Sequence, residues 1–354
     1  MKNRRLIVLC ALGCLAADWK IAEPGWRYEF PRDHHAHLEF KAEWWYFTGN
    51  LADAAGHRFG YQLTFFRQGI IPLEQRAPER SRFVVNDLKF AHFTITDVAG
   101  KQFHFQQKTS RGAFGEAGFD DVERLAWLDS WELRMDDAGA FHLRAEGKGA
   151  ALDLRLASRK SPVIHGAHGV SQKAEGEGHA SHYYSLSRLA TEGALQVKGK
   201  SFRTTGESWF DHEWATNQLA PQQAGWDWLS VQLDDGTELM LYRMRLADGA
   251  TDPTSSGTFI AADGVDRHLP NEAFQMTATG FWKNYPIGWR IAVPDMALQF
   301  EVRAVLANQE LALQPLAYWE GAVEISGTRA GKPIAGRGYL ELTGYAGPLR
   351  ELQR

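Results

Sequence analysis

The chain has 354 residues, is 44% hydrophobic and 23% charged, and carries a net charge of −4. That balance excludes wholesale disorder and argues against a nucleic-acid partner, because phosphate binding needs a clustered Lys/Arg surplus. Beyond the N-terminal region no apolar run is long enough for a transmembrane helix, and the feature out of the ordinary is 13 Trp residues.

The chain opens with Lys2, Arg4 and Arg5, then the apolar run Leu6 to Leu12, then the small residues Gly13, Ala16 and Ala17. This is the pattern of an export signal over residues 1–17, too short to cross a bilayer. Both cysteines, Cys10 and Cys14, fall within it. Cleavage after Ala16 or Ala17 leaves a cysteine-free periplasmic or secreted protein. Cleavage before Cys14 makes a lipoprotein anchored to the outer membrane, and Ala11-Leu12-Gly13 is an imperfect lipobox because Leu is preferred where Ala11 stands. Either way no disulfide holds the fold, and stability rests on core burial.

Next comes Asp33-His34-His35-Ala36-His37, with further histidines at 165, 168, 179 and 182. Neither spacing matches a zinc signature, so no metal is expected. Glu43-Trp44-Trp45-Tyr46-Phe47-Thr48-Gly49-Asn50 reads as a strand with aromatics on both faces, serving either as barrel core or as an aromatic wall for an apolar ligand. Period-two alternation then dominates. Phe59, Tyr61, Leu63 and Phe65 share one face, as do Trp131, Leu133 and Met135, then Phe141, Leu143 and Ala145, then Leu152, Leu154 and Leu156. In the second half Leu298, Phe300, Val302 and Ala304 repeat the pattern, followed by Trp319, Gly321, Val323 and Ile325. Asp/Gly turn signals at Asp53–Gly56, Asp97–Gly100, Asp136–Gly139, Asp234–Gly236, Asp248-Gly249 and Asp263-Gly264 make hairpins between them. Only Pro72 to Arg82 and Pro270 to Met276 read as helical or irregular. The Gly/His/Ser-rich stretch His165 to His182 is a long loop of the kind that carries function.

Roughly sixteen or more strands exceed one small barrel of about eight, so an all-β fold of two tandem antiparallel barrels is expected. The boundary falls in the polar segment Thr216 to Gly225, which gives domains over 22–220 and 221–354.

Just before it lies Gly206-Glu207-Ser208-Trp209-Phe210-Asp211-His212-Glu213-Trp214. If extended, Trp209, Asp211 and Glu213 point one way and Phe210, His212 and Trp214 the other, so only one set faces a given cavity. Carboxyls among apolar neighbours must be paired or raised in pKa, and a raised carboxyl is a usable general acid near neutrality. Trp226 and Trp228, then Met240, Tyr242 and Met244, suit a lipid-like or isoprenoid pocket, or an ordinary barrel core. Gly206-Glu207-Ser208-Trp209-Phe210 starts like a nucleophile elbow but lacks the closing Gly. No P-loop or dinucleotide fingerprint occurs, and no cofactor is expected.

Glu43 to Leu51, Tyr183-Tyr184-Ser185 and Ser208 to Trp214, together with Tyr318-Trp319-Glu320-Gly321 and Gly336 to Tyr345, resemble the secreted AttH-like proteins, relatives of the carotenoid hydratases (hydroxyneurosporene synthases). The resemblance runs from about Pro24 to Gly347. It implies tandem lipocalin-like (calycin-type) barrels and a lipid or isoprenoid ligand held by Trp45, Tyr61, Tyr184, Trp209, Trp214, Trp226, Trp228 and Tyr242. Relatives are often encoded beside an ABC transporter permease, which implies a periplasmic binding or accessory role. The hydratase branch implies a second reading, an acid that protonates an alkene before water captures the cation. Mapped here, Asp211 or Glu213 is the acid, His212 orients or relays protons, and Trp214, Trp226 and Tyr242 face the positive charge. Met244 stands where a second carboxylate would serve that chemistry. Few ionisable groups facing inward would favour the carrier, and a carboxyl inside the cavity beside Trp faces would favour the enzyme.

Overall fold

A computed structural model describes residues 18–77, 83–217, 219–313, 317–347 and 349. Residues 1–17, where the export signal is expected, and with them Cys14, lie outside the described residues. Among those described, the strands form two antiparallel sheets, of 13 and 10 strands. The six Asp/Gly turns each join consecutive strands, as at Asp53–Gly56, where the Gly56 amide donates to the Asp53 carbonyl at 3.0 Å. The two segments without alternation contain short 3-10 turns, Leu73–Gln75 and Asn271–Ala273.

Both sheets follow one plan. Hairpins run outward from a central seam, and the seam pairs the first long strand with the last. In the first sheet Ala42–Asp53 pairs with Lys200–Ala215, from Ala42 opposite Ala215 to Asp53 opposite Thr204. In the second, Gln223–Leu233 pairs with Lys332–Leu342. The first sheet ends at Ala215 and the second starts at Gln223. The sheets curl into a nearly closed barrel and a half-barrel, a tandem lipocalin-like architecture.

The insides are packed. Trp45, Phe47, Tyr61, Leu63, Phe93, Trp131, Phe141, Leu154, Phe210 and Trp214 fill the first. Leu229, Leu241, Trp289, Phe300, Trp319, Val323 and Leu340 fill the second. Burying large apolar side chains like these, at about 1.5–3 kcal/mol each, is the dominant stabilising term.

The outward faces do not all meet water. Gln62, Thr64 and Thr94 alternate with core residues, yet each is fully buried, because the second sheet covers them. Polar groups there find partners across the interface. Thr96 Oγ1 donates to Gln309 Oε1 at 2.7 Å, and Gln232 Nε2 donates to the Ser187 and Ser208 carbonyls at 2.7 and 3.0 Å. The sheets come closest at Gly60, where an added Cβ would stand 2.7 Å from the Cβ of Ala322. No helix of the described residues is long and apolar enough to cross a membrane.

Candidate functional site

Where the two outward faces diverge they enclose a cavity of about 570 Å3. It lies between the barrels rather than inside either. Strand register explains its lining, because residues directly opposite in a sheet form transverse rows on one face. On the first sheet one row runs Ser185, Asp211, Tyr46, Thr64, His92. The next runs Tyr183, Glu213, Trp44, Phe66, Phe90. The second sheet opposes them with Tyr242, Trp228, Glu341, Glu320. Aromatic rings and carboxyls from both sheets thus face one void, and Trp226, Met244 and Tyr318 complete the wall.

Asp211 is almost wholly buried. Its Oδ2 accepts from the Tyr183 hydroxyl at 2.6 Å, and its Oδ1 accepts from Trp209 Nε1 at 2.6 Å and from the Ser185 hydroxyl. Burial pushes its pKa up to about 7, against the pull of those donors. With two donors on Oδ1 and one on Oδ2, the free position for an acidic proton is on Oδ2. The Tyr183 hydroxyl in turn accepts from Trp228 Nε1 at 3.0 Å, so a residue of the second sheet fixes the acid of the first.

Glu320 and Glu341 stand opposite each other on adjacent strands. Burial raises both; the Glu341 charge raises Glu320 further, and those of Asp211 and Glu213 raise Glu341. Neither carboxyl oxygen of Glu320 has a hydrogen-bond partner, although the Tyr46 and Tyr318 hydroxyls are its neighbours. The Tyr318 hydroxyl meets His92 Nδ1 at 2.8 Å, and burial lowers that imidazole to about 3, so it is neutral. Glu213 differs from the other acids. It accepts from the Ser181 hydroxyl and pairs with Lys173 Nζ at 3.0 Å. Lys173 comes from the His165–His182 segment, and its ammonium lies 4.1 Å from the Tyr242 ring centre.

A second polar cluster lies on the inner face of the same strands. His37 Nδ1 and His212 Nε2 both meet Glu43 Oε1, at 2.8 and 3.0 Å, and His37 Nε2 meets Asp33 at 3.2 Å. Arg67 Nε donates to Glu43 Oε2 at 3.2 Å, and Arg32 pairs with Asp33 at 2.9 Å. Burial opposes charge here too, but hydrogen bonds from His37, His212, Arg32 and the Glu29 amide, with the charges of His37 and Arg67, outweigh it and hold both carboxyls well below the usual range. The two carboxylates likewise lift His37 to about 9 despite its burial. The ligating atoms of His37, Glu43 and His212 lie within 4.8 Å of one another, the one such group among the described residues. Arg67 and the protonated His37 already neutralise it, which makes it a hydrogen-bond network.

The expected site residues therefore divide by parity. Asp211, Glu213, Trp226, Trp228 and Tyr242 line the cavity. Trp209 sits behind Asp211 on the same face. His212, Trp45, Tyr61, Tyr184 and Trp214 point into the first barrel, away from the cavity. His212 stacks on Trp45 at 4.7 Å and serves the inner network. Met244 lines the cavity, and the further carboxyls come from the opposite strands, as Glu320 and Glu341. Each is a lone acid in an apolar run, Trp319-Glu320-Gly321 and Leu340-Glu341-Leu342. That alternation is the sequence signal that marks them.

Two curled sheets enclosing an acid-bearing aromatic chamber define a tandem lipocalin-like protein whose site lies between its barrels. The AttH-like family model matches residues 21–345, and the chain belongs to the AttH-like family. An AttH protein from Nitrosomonas europaea is 32% identical, with a TM-score of 0.82 over 92% of this chain and 99% of its own. Kievitone hydratase from Nectria haematococca shares the fold at 13% identity and a TM-score of 0.71, over 90% of this chain and 93% of its own. CghA, solved with Sch210972, aligns at 12% identity and 0.53, over 86% and 89%. No match was found among curated proteins.

Proposed function

We propose that the protein is an acid-catalysed hydratase acting on an alkene of isoprenoid or lipid type bound in the interdomain chamber. The observation that carries this reading is Asp211, a carboxyl raised to about 7 by burial, set in a wall of aromatic rings. Protonating an alkene needs an acid that keeps its proton near neutrality and surroundings that tolerate a carbocation.

In this scheme the proton on Asp211 Oδ2 passes to one alkene carbon. The positive charge develops on the neighbouring carbon and faces the rings of Trp226, Trp228 and Tyr242. Water adds its oxygen to that carbon and gives its proton to Glu213, which Lys173 holds in place. Exchange with solvent returns both carboxyls to their starting states, so the sum is alkene plus water to alcohol. Asp211 and Glu213 are two residues apart on one strand face, which separates them by about 7 Å, enough for an alkene and a water between them. Tyr183 and Trp209 position Asp211.

A carrier for a lipid or isoprenoid needs few inward ionisable groups, and Asp211, Glu213, Glu320 and Glu341 all face this chamber. The kievitone hydratase neighbour also favours hydration, as an analogy of fold. The test is to incubate the protein with prenylated alkenes in 18O-labelled water and follow uptake of label by mass spectrometry. Asp211→Asn is expected to cut turnover by about 10²–10⁴-fold while quenching of tryptophan fluorescence by substrate persists. Binding without label uptake by the unaltered protein makes it a carrier.

A further inference from the structure

Exposure changes in one direction along the strand pair that floors the chamber. Gln62 and Thr94 are fully buried, Phe66 and Phe90 are half-buried, and Leu88, which pairs with Gln68 at the chamber's edge, is 39% exposed. The chamber is closed at the Gln62 end and opens at Leu88. Beyond that mouth the hairpin continues, with the Ile70 and Ile71 amides donating to the Asn86 carbonyl. Ile70 is 50% exposed, Leu73 44%, Phe83 80% and Val84 46%. With Leu88 these make half of the large hydrophobic side chains exposed among the described residues. Beside them Arg111 lies 5.9 Å from the Phe83 ring, and Phe114 is also exposed.

The N-terminal end of the described chain comes to the same place. Trp19 lies against Gly69, where an added Cβ would meet its ring at 2.2 Å. The Lys20 carbonyl accepts from Thr216 Oγ1, next to the cavity-lining Ala215 and Asn217. Asp18 is four residues after Cys14, a span of at most about 14 Å.

We propose that the mouth is a membrane-docking face. Ile70, Leu73, Phe83, Val84 and Leu88 enter the headgroup boundary of a lipid bilayer, Arg111 meets anionic headgroups, and the chamber opens directly onto the acyl phase. An acyl group on Cys14, at most about 14 Å from Asp18, would add a tether on the side of this face. A guest dissolved in the bilayer then reaches Asp211 without crossing water. The inference rests on the hydratase reading only for the nature of that guest, and the docking is measured with no substrate present.

The test uses the full chain with Cys14→Ser, so that no acyl group contributes, and vesicles of phosphatidylethanolamine and phosphatidylglycerol. The protein is expected to sediment with the vesicles. The combined Ile70→Ser, Phe83→Ser and Val84→Ser variant should lower partitioning by about tenfold or more, with an unchanged thermal transition. Val265→Ser with Phe281→Ser, which removes exposed apolar side chains of the second sheet, should leave it unchanged. Equal partitioning of the triple variant, or none by the unaltered protein, overturns the proposal. So does self-association without vesicle binding that the triple variant abolishes, since the face would then belong to a second copy. A triple variant that loses vesicles but hydrates a water-soluble short-chain alkene normally separates docking from catalysis. Vesicle binding by a protein without turnover retains the docking face and removes the hydratase reading.

Discussion

Two groups of buried carboxyls lie on either side of the first sheet's seam, one inside the barrel and one in the chamber between the sheets, and their chemistry is opposite. On the inner face, Asp33 and Glu43 meet Arg32, Arg67 and His37, and both are held well below the usual carboxylate range. In the chamber, the cation near Asp211 and Glu341 is Lys173, which is bound to Glu213, and Asp211, Glu320 and Glu341 are all raised. The seam places Glu43 opposite Trp214 and Trp44 opposite Glu213, so a step of one residue moves a carboxyl from the barrel interior to the chamber. Depth is similar on both faces. What decides between a structural anion and a proton donor is whether a cation comes with it.

Four experiments would break or sharpen that contrast. Arg67→Met takes the guanidinium from buried Glu43, while Asp87 keeps Arg76, and should cost about 3–5 kcal/mol in denaturant titrations or prevent folding. The chamber acids predict a loss of stability as pH rises. The unfolded Asp211 ionises near 3.8 and the native one near 7, so the native state binds more protons between those values. Its contribution is intact below about pH 4 and falls by about 3–4 kcal/mol by pH 7, and Asp211→Asn should flatten that window. His37 works in a higher window. Raised from 6.5 to about 9, it stabilises fully below pH 6.5 and loses about 3 kcal/mol as pH passes through 9. His37→Gln should therefore flatten thermal unfolding only in that range. The smallest effect is expected for Glu320→Gln, which replaces a buried acid without a hydrogen-bond partner by its neutral isostere and should change stability at low pH by about 1 kcal/mol or less in denaturant titrations.

Much of this was legible beforehand, and the reasons are local. Asp/Gly turns and period-two runs specify hairpins within a few residues, and parity alone separates Asp211 and Glu213 from His212 and Trp214. Which of those sets faces a ligand is not a local property. Trp45 and Tyr61 look like wall material, yet they fill a barrel, because the cavity forms where outward faces meet. The burial of Gln62 and Thr64 has the same cause, a covering sheet from far along the chain. Glu341 reaches the chamber through its pairing with Trp228, more than one hundred residues earlier in the sequence, and Glu320 through its pairing with Glu341, a register that no short window contains. Lys173 arrives on an irregular loop, and no pattern there foretells which side chain turns inward.

The near-contact at Gly60 has a mechanical consequence. With the Gly60 backbone set against the Ala322 methyl on the closed side of the chamber and open space at the other, a widening of the chamber would swing about that contact like the jaws of a clamp. Bulky guests would spread the tips by the mouth, while Asp211, in the row nearer the fulcrum than Glu213, would keep its bearing on the rings opposite. A single methyl group introduced at position 60 would act as a wedge, and the misalignment would grow with distance along the gap.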